Sequence, residues 1–198
     1  MNAIRNVLAL IGLLTIVAGI LVGPQLAGLY KYKTAFDGFD PKAKDVYMEM
    51  AEKLVETGSP VAATVWKWEV NDDITFEDLD ETIKSVAAEN NIKDVGALPL
   101  SDQISAMTGK TYRKVKIYLY CNPLTAAKML DFDDAYAAYL PCRVTAVEDK
   151  KGKLWLYTLN MDPMIYGGKR LPEDLRKEAL GIKEKIMAIG KRAAVGDF

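Results

Sequence analysis

The chain has 198 residues, with 26 basic and 27 acidic side chains for a formal charge of -1, no histidine and two cysteines. Balanced charge leaves no field to hold nucleic acid, the missing histidine removes the usual general base and the commonest metal ligand, and two cysteines without a CxxC spacing neither staple a disulfide scaffold nor close a zinc site unless carboxylates complete it. No catalytic residue, metal or cofactor is therefore expected, and about 165 residues beyond an apolar N-terminus suffice for one domain with its own core.

Val7–Val22 is an almost unbroken apolar run, preceded by Arg5 and continued by Gly23-Pro24-Gln25-Leu26-Ala27-Gly28-Leu29. Sixteen residues of helix span about 24 Å, and extension to Leu29 reaches the ~30 Å of a bilayer core. Tyr30 and Tyr32, with Lys31 and Lys33, then stand where an interfacial belt belongs. A cleaved signal peptide with a site near Val17-Ala18-Gly19 is the competing reading, but the apolar character does not stop there. Residues 1–33 thus read as a membrane anchor. A short tail bearing Arg5 ahead of a large C-terminal domain has the form of a signal-anchor, which favours a bacterial inner-membrane protein with its soluble domain in the periplasm.

Residues 34–59 read as an amphipathic connecting helix, with Asp40 as N-cap, Pro41 at N1, an apolar stripe through Val46, Tyr47, Met50, Ala51, Leu54 and Val55, and Gly58 at its end. Residues 60–198 then alternate strands and helices. Strands are expected over Ala62–Val70, Ile92–Leu98, Tyr112–Cys121, Cys142–Asp149 and Leu154–Leu159, the last two joined by a Lys150–Lys153 turn. Helices are expected after Thr75, over Ser101–Met107, in two short pieces over Pro123–Asp131 and Asp133–Tyr139, and from Pro172 at N1 onward. The last carries Glu173 and Asp174 in its first turn, Lys191 and Arg192 in its last, and a stripe through Leu175, Ala179, Ile182, Ile186, Ile189 and Ala193. Packing on its own sheet is the simplest use of that stripe.

Asn122-Pro123, Leu140-Pro141-Cys142-Arg143-Val144, Glu148-Asp149 with Gly152, Leu154-Trp155 and Asp162-Pro163 occur in that order at hairpin-compatible spacing. In this the stretch from about residue 60 to 198 resembles the domain of unknown function 302 family. The resemblance implies an α+β fold, a curved and mainly antiparallel sheet of about five strands backed by helices, often dimeric, with no established activity and no catalytic residue to carry over.

Two features stand out as candidate sites. Cys121 and Cys142, about twenty residues apart at strand ends, read as two core thiols, a structural disulfide, or a redox or metal-binding pair. By alternation Cys121 shares a face with Val115, Ile117 and Leu119, and Cys142 with Val144 and Ala146. Trp66 and Trp68, Tyr118 and Tyr120, and Trp155 and Tyr157 sit two apart on three strands, so six rings are expected on one sheet surface. Such a surface is covered by the last helix or a second copy, or it takes a planar or apolar ligand such as a quinone, haem or lipid. Met48, Met50, Met161 and Met164 are soft ligands for Cu(I) beside the cysteines, but their spacing is unremarkable and Met50 belongs to a core stripe. Asp78, Asp80 and Glu81, like Asp133 and Asp134, read as solvated helix faces. An anchor joined to a domain without catalytic residues points to a membrane-bound accessory module docking on other subunits of a larger, redox or otherwise, complex. The alternative is a thiol-redox or ligand-binding protein.

Overall fold

The computed structural model describes residues 2–198, with side chains described for all of them except residues 2, 3, 26, 27 and 29–31. Tyr30 and Lys31, expected at a membrane interface, and Leu26, Ala27 and Leu29 thus fall outside the described side chains. Helix α1 runs over Asn2–Phe36 and continues through Pro24. Its stretch Ile4–Gln25 is long and apolar enough to cross a membrane or to be a signal sequence.

Helix α2 (Ala43–Thr57) starts later than the sequence suggests. Asp40 instead organises the turn before it, its Oδ1 accepting from the Lys42 amide and its carbonyl from Ala43. Gly58, at φ 63°, ends the helix in the left-handed conformation that glycine adopts without strain. A second difference follows. Residues expected at the start of the first strand form a helical turn, α3 (Pro60–Ala63), capped by Ser59, whose side chain accepts from the Ala62 amide, so that β1 is only Val65–Glu69. The Ser-Pro pair starts a helix more readily than a strand.

Thr75 opens α4 (Phe76–Glu89) with a full capping box to Asp78. Then come β2 (Lys93–Leu98), α5 (Leu100–Thr108), β3 (Val115–Cys121) and α6 (Pro123–Phe132), followed by a 3-10 turn over Asp134–Tyr139. The hairpin β4 (Cys142–Glu148) and β5 (Leu154–Leu159) turns on Gly152 at φ 82°. A short helix not expected from sequence, α7 (Asp162–Tyr166), precedes α8 (Glu173–Ala194), where Pro172 is the N-cap rather than N1.

The five strands form one antiparallel sheet in the order β1-β5-β4-β3-β2, so the architecture is α+β as expected. Helices α4 and α8 pack together over one face, α8 against β1, β4 and β5, and α4 against β2. The core fills that interface: Leu79, Ile83 and Val86 of α4 and Ile186 and Ile189 of α8 meet Tyr118, Val144 and Leu156 of the sheet, all essentially inaccessible to water. The C-terminal stripe is thus spent within its own domain.

Candidate functional site

Residues paired across strands share a sheet face, and the register assigns every candidate residue. Trp66 opposes Thr158 and Trp68 opposes Leu156, while Tyr118 opposes Val144 and Tyr120 opposes Cys142. Trp66, Trp68, Tyr118 and Tyr120 therefore all look toward the helices. Trp155 and Tyr157 oppose Glu69 and Lys67 and look the other way. The six rings do not share one surface. Of the strand expected to bury Val115, Ile117, Leu119 and Cys121 in the core, Val115 is buried (8% exposed), but Tyr118 (1%) and Tyr120 (0%) fill the core toward the helices, while Ile117 and Leu119 are half-buried on the opposite face and Cys121 is half-buried at the strand end.

The reason is chemical. Tyr118 reaches across the core and donates its hydroxyl to Asp80 Oδ1 of α4 at 2.6 Å. The same carboxylate accepts from Lys116 Nζ and Lys84 Nζ, each at 2.5 Å. Burial, and next the adjacent Asp80, push the Tyr118 hydroxyl well above its ordinary value, so it is a permanent donor. Asp80, read from sequence as a solvated residue, is the hub of a structural network. Its signals in the sequence are Lys84 one helical turn on and its place beside the buried Leu79. The Tyr120 hydroxyl is buried without a hydrogen-bond partner among the described residues.

The face opposite α4 and α8 is largely apolar: Val65, Ile117, Leu119, Val147, Trp155 and Tyr157 lie half-buried on it, Val115 is buried there, and Lys67 extends over the Trp155 ring. Beside edge strand β1 opens a groove of about 750 Å³, lined by Val61 and Ala62 of α3, by Trp66 and Trp68, and by Tyr157. Three of the six aromatic candidates thus meet a cavity at the sheet edge, where sequence alternation alone could not bring the two faces together.

Cys121 closes β3 one residue beyond the Tyr120–Cys142 pair, and both cysteines are free thiols lining one small cavity of about 30 Å³. Met129 of α6, Met164 of α7 and Met161, the residue before α7, are its other sulfur-bearing residues. Met129 went unnoticed in the sequence because it lies on neither strand. Among the described residues no group of three or more histidine, cysteine, aspartate or glutamate side chains is gathered closely enough to hold a metal.

The sequence pattern described as Domain of unknown function DUF302 matches residues 66–193. The chain belongs to the DUF302 family. Both cysteines, all six aromatic candidates and the whole sheet but the first residue of β1 lie inside the DUF302 match, while α1 and α2 lie outside it. The fold is similar to the crystal structure of an uncharacterized conserved protein DUF302 from Bacillus stearothermophilus, with TM-score 0.54 and 15% identity over 66% of this chain and 98% of that one. At that identity the likeness concerns the fold alone. No curated protein matches the chain.

Within the DUF302 domain both thiols are shifted toward their protonated forms. Burial, and next the neighbouring Cys121, push the Cys142 thiol up to about 11, while burial raises Cys121 against the opposing pull of Lys93. At mildly alkaline pH, iodoacetamide should therefore label native Cys142 roughly 100-fold more slowly than the same cysteine in denaturant, with Cys121 reacting first. Peptide mass spectrometry over a labelling time course measures this. Equal native and denatured rates at Cys142 would mean that the cavity is open to solvent.

Proposed function

We propose that this chain is a membrane-anchored docking module without catalytic chemistry of its own, and that the sheet face opposite α4 and α8 seats another subunit of a membrane complex, a redox assembly among the candidates. The observation that carries the reading is that face itself. α4 and α8 cover one side of the sheet, whereas Ile117, Leu119, Val147, Trp155 and Tyr157 remain half-exposed on the other. An apolar surface framed by Arg143, Lys67 and Glu69 has the make-up of an interface, with aromatic anchors inside a polar rim. An apolar N-terminal helix of membrane-crossing length supports a role at a membrane. On the signal-anchor pattern we read the domain as exported, at the periplasmic side of a bacterial inner membrane.

Two measurements test this. The chain should stay in the membrane fraction through an alkaline wash that strips peripheral proteins; release would remove the anchor. Purified at native expression in mild detergent, it should bring partner chains with it, and Val147→Glu or Trp155→Ala should release them while the far-ultraviolet circular dichroism is unchanged. A lone monomer would overturn docking, and a dimer dissolved by the same substitutions would make the face a self-association surface.

The groove beside β1 favours a second reading, an apolar planar or lipid ligand held against Trp66, Trp68 and Tyr157. Its volume falls in the range of small-molecule sites. Quenching of tryptophan fluorescence by a soluble quinone analogue, lost in Trp66→Leu, is the expected sign; no quenching, or an unchanged response in that variant, would exclude quinones.

A further inference from the structure

The cavity at the end of β3 and β4 gathers both cysteines of the chain and three of its eight methionines. Five sulfur-bearing residues line it from well-separated parts of the chain: Cys121 from β3, Cys142 from β4, Met129 from α6, Met164 from α7, and Met161, the residue before α7. The cavity they line, about 30 Å³, is far smaller than a small-molecule site. Water is a poor occupant, because a buried water needs two to four polar partners. The oxygen groups at the rim are already engaged. Asn122 Oδ1 accepts from the Leu124 and Thr125 amides, and Thr125 Oγ1 donates to Glu178.

We propose that this cavity is a soft-metal site and that its ion is Cu(I). Thiolates and thioethers are the ligands that select this ion, whereas magnesium and calcium need oxygen donors and no carboxylate lines the cavity. Charge points the same way. A monovalent ion with one thiolate and two or three neutral thioethers forms a site of zero net charge, which a low-dielectric interior tolerates far better than a net charge. Zinc is disfavoured, since thioethers are weak partners for it and only two thiols are present. On binding, one thiol S–H bond breaks, a sulfur–copper bond forms and the proton leaves to solvent; no electron is transferred.

The shape suits capture and release. Met129 and Met161 are buried, while Cys121, Cys142 and Met164 are half-buried, so the ion can be passed in at the exposed ligands and completed by the inner ones. Methionine has three rotatable bonds and can follow the ion without moving the backbone. The assignment is independent of the docking reading: a chain that recruits no partner still binds copper.

The test is an anaerobic titration of the full chain in mild detergent with Cu(I), kept reduced by ascorbate, against a chromophoric Cu(I) chelator. One ion per chain should be retained, with an all-sulfur shell by X-ray absorption. Cys142→Ser should cost more than the roughly 10- to 100-fold that loss of a group merely supporting a ligand costs. Met129→Leu with Met161→Leu, which conserves volume and leaves the thiols in place, should lower retention about tenfold and keeps the test intact where the serine variant misfolds. Failure to retain copper, nitrogen or oxygen in its shell, retention unchanged in both variants, or displacement by an equal concentration of Zn(II) would each overturn the assignment.

Discussion

Replacing Asp80 with alanine is expected to lower the melting temperature of the full chain in mild detergent by roughly 5–10 °C, equivalent to about 2–3 kcal/mol. The carboxylate accepts from Tyr118 at 2.6 Å and from Lys116 and Lys84 at 2.5 Å. The two lysines turn to water at little cost once it is gone, Lys84 above all because its side chain is 50% exposed. Tyr118, at 1% exposure, cannot, and its hydroxyl is left buried and unpaired. The loss should therefore be partly recovered in the Asp80→Ala, Tyr118→Phe double variant, which removes the orphaned group; a fully additive double variant would mean the bond contributes nothing. The same site sets a pH dependence. Burial alone would raise the Asp80 carboxyl, but the hydrogen bonds from Lys116, Lys84 and Tyr118 together outweigh it and bring it from 3.8 to about 2. A folded value below the unfolded one stabilises the fold fully above about pH 4 and ceases to do so as the pH falls toward 2. The linkage amounts to about 2 kcal/mol, reduced to roughly 1–2 by solvent screening of a partly exposed cluster. Melting curves of wild type and Asp80→Asn should thus converge between neutral pH and about pH 2. Asp78, Asp149, Glu173 and Glu178 are lowered as well, so the wild-type curve alone does not isolate Asp80.

Where backbone signals are strong, sequence and structure agree. The Thr75 capping box, the Gly58 and Gly152 positive-φ positions and the acidic-to-basic gradient along α8 all act within a few residues, so their information is local. The face of β3 was misread for the opposite reason. Alternation says which residues share a side, and it paired Val115, Ile117 and Leu119 correctly against Tyr118 and Tyr120. Which side the helices cover depends on Asp80, thirty-eight residues before Tyr118, presenting a carboxylate where a tyrosine hydroxyl ends. With such a partner a tyrosine is a core residue, and Ile117 and Leu119 turn to the opposite face. The sulfur cavity was half legible: the cysteines, Met161 and Met164 were recognisable, but only the fold of α6 and α7 back over the sheet end brings Met129 to them.

The second expected result concerns two glycines of one helix. Alanine at Gly181 should stabilise the protein by about 0.5–1 kcal/mol, whereas alanine at Gly190, nine residues on, should destabilise it by about 1–2 kcal/mol. Both changes raise helix propensity by the same amount, roughly 1 kcal/mol, because both remove backbone freedom from the unfolded chain. Their surroundings decide the sign. A Cβ at Gly181 meets nothing within 4 Å, but at Gly190 it falls 2.5 Å from Cζ3 and 2.6 Å from Cε3 of Trp68. An indole is rigid, and this one is held on β1 by its pairing with Leu156, so relief requires the ring to slide or α8 to lift from the sheet. Lifting would disturb the neighbouring Ile186 and Ile189, both fully buried. Overpacking of this kind costs about 1–3 kcal/mol, more than the propensity gain. Thermal melts of the two variants should move in opposite directions, and Gly190→Ala should also shift tryptophan emission, since Trp68 is the residue displaced. Stabilisation by both substitutions would mean that α8 does not rest on the Trp68 ring, and with it the close approach that fixes α8 across β1 would be lost.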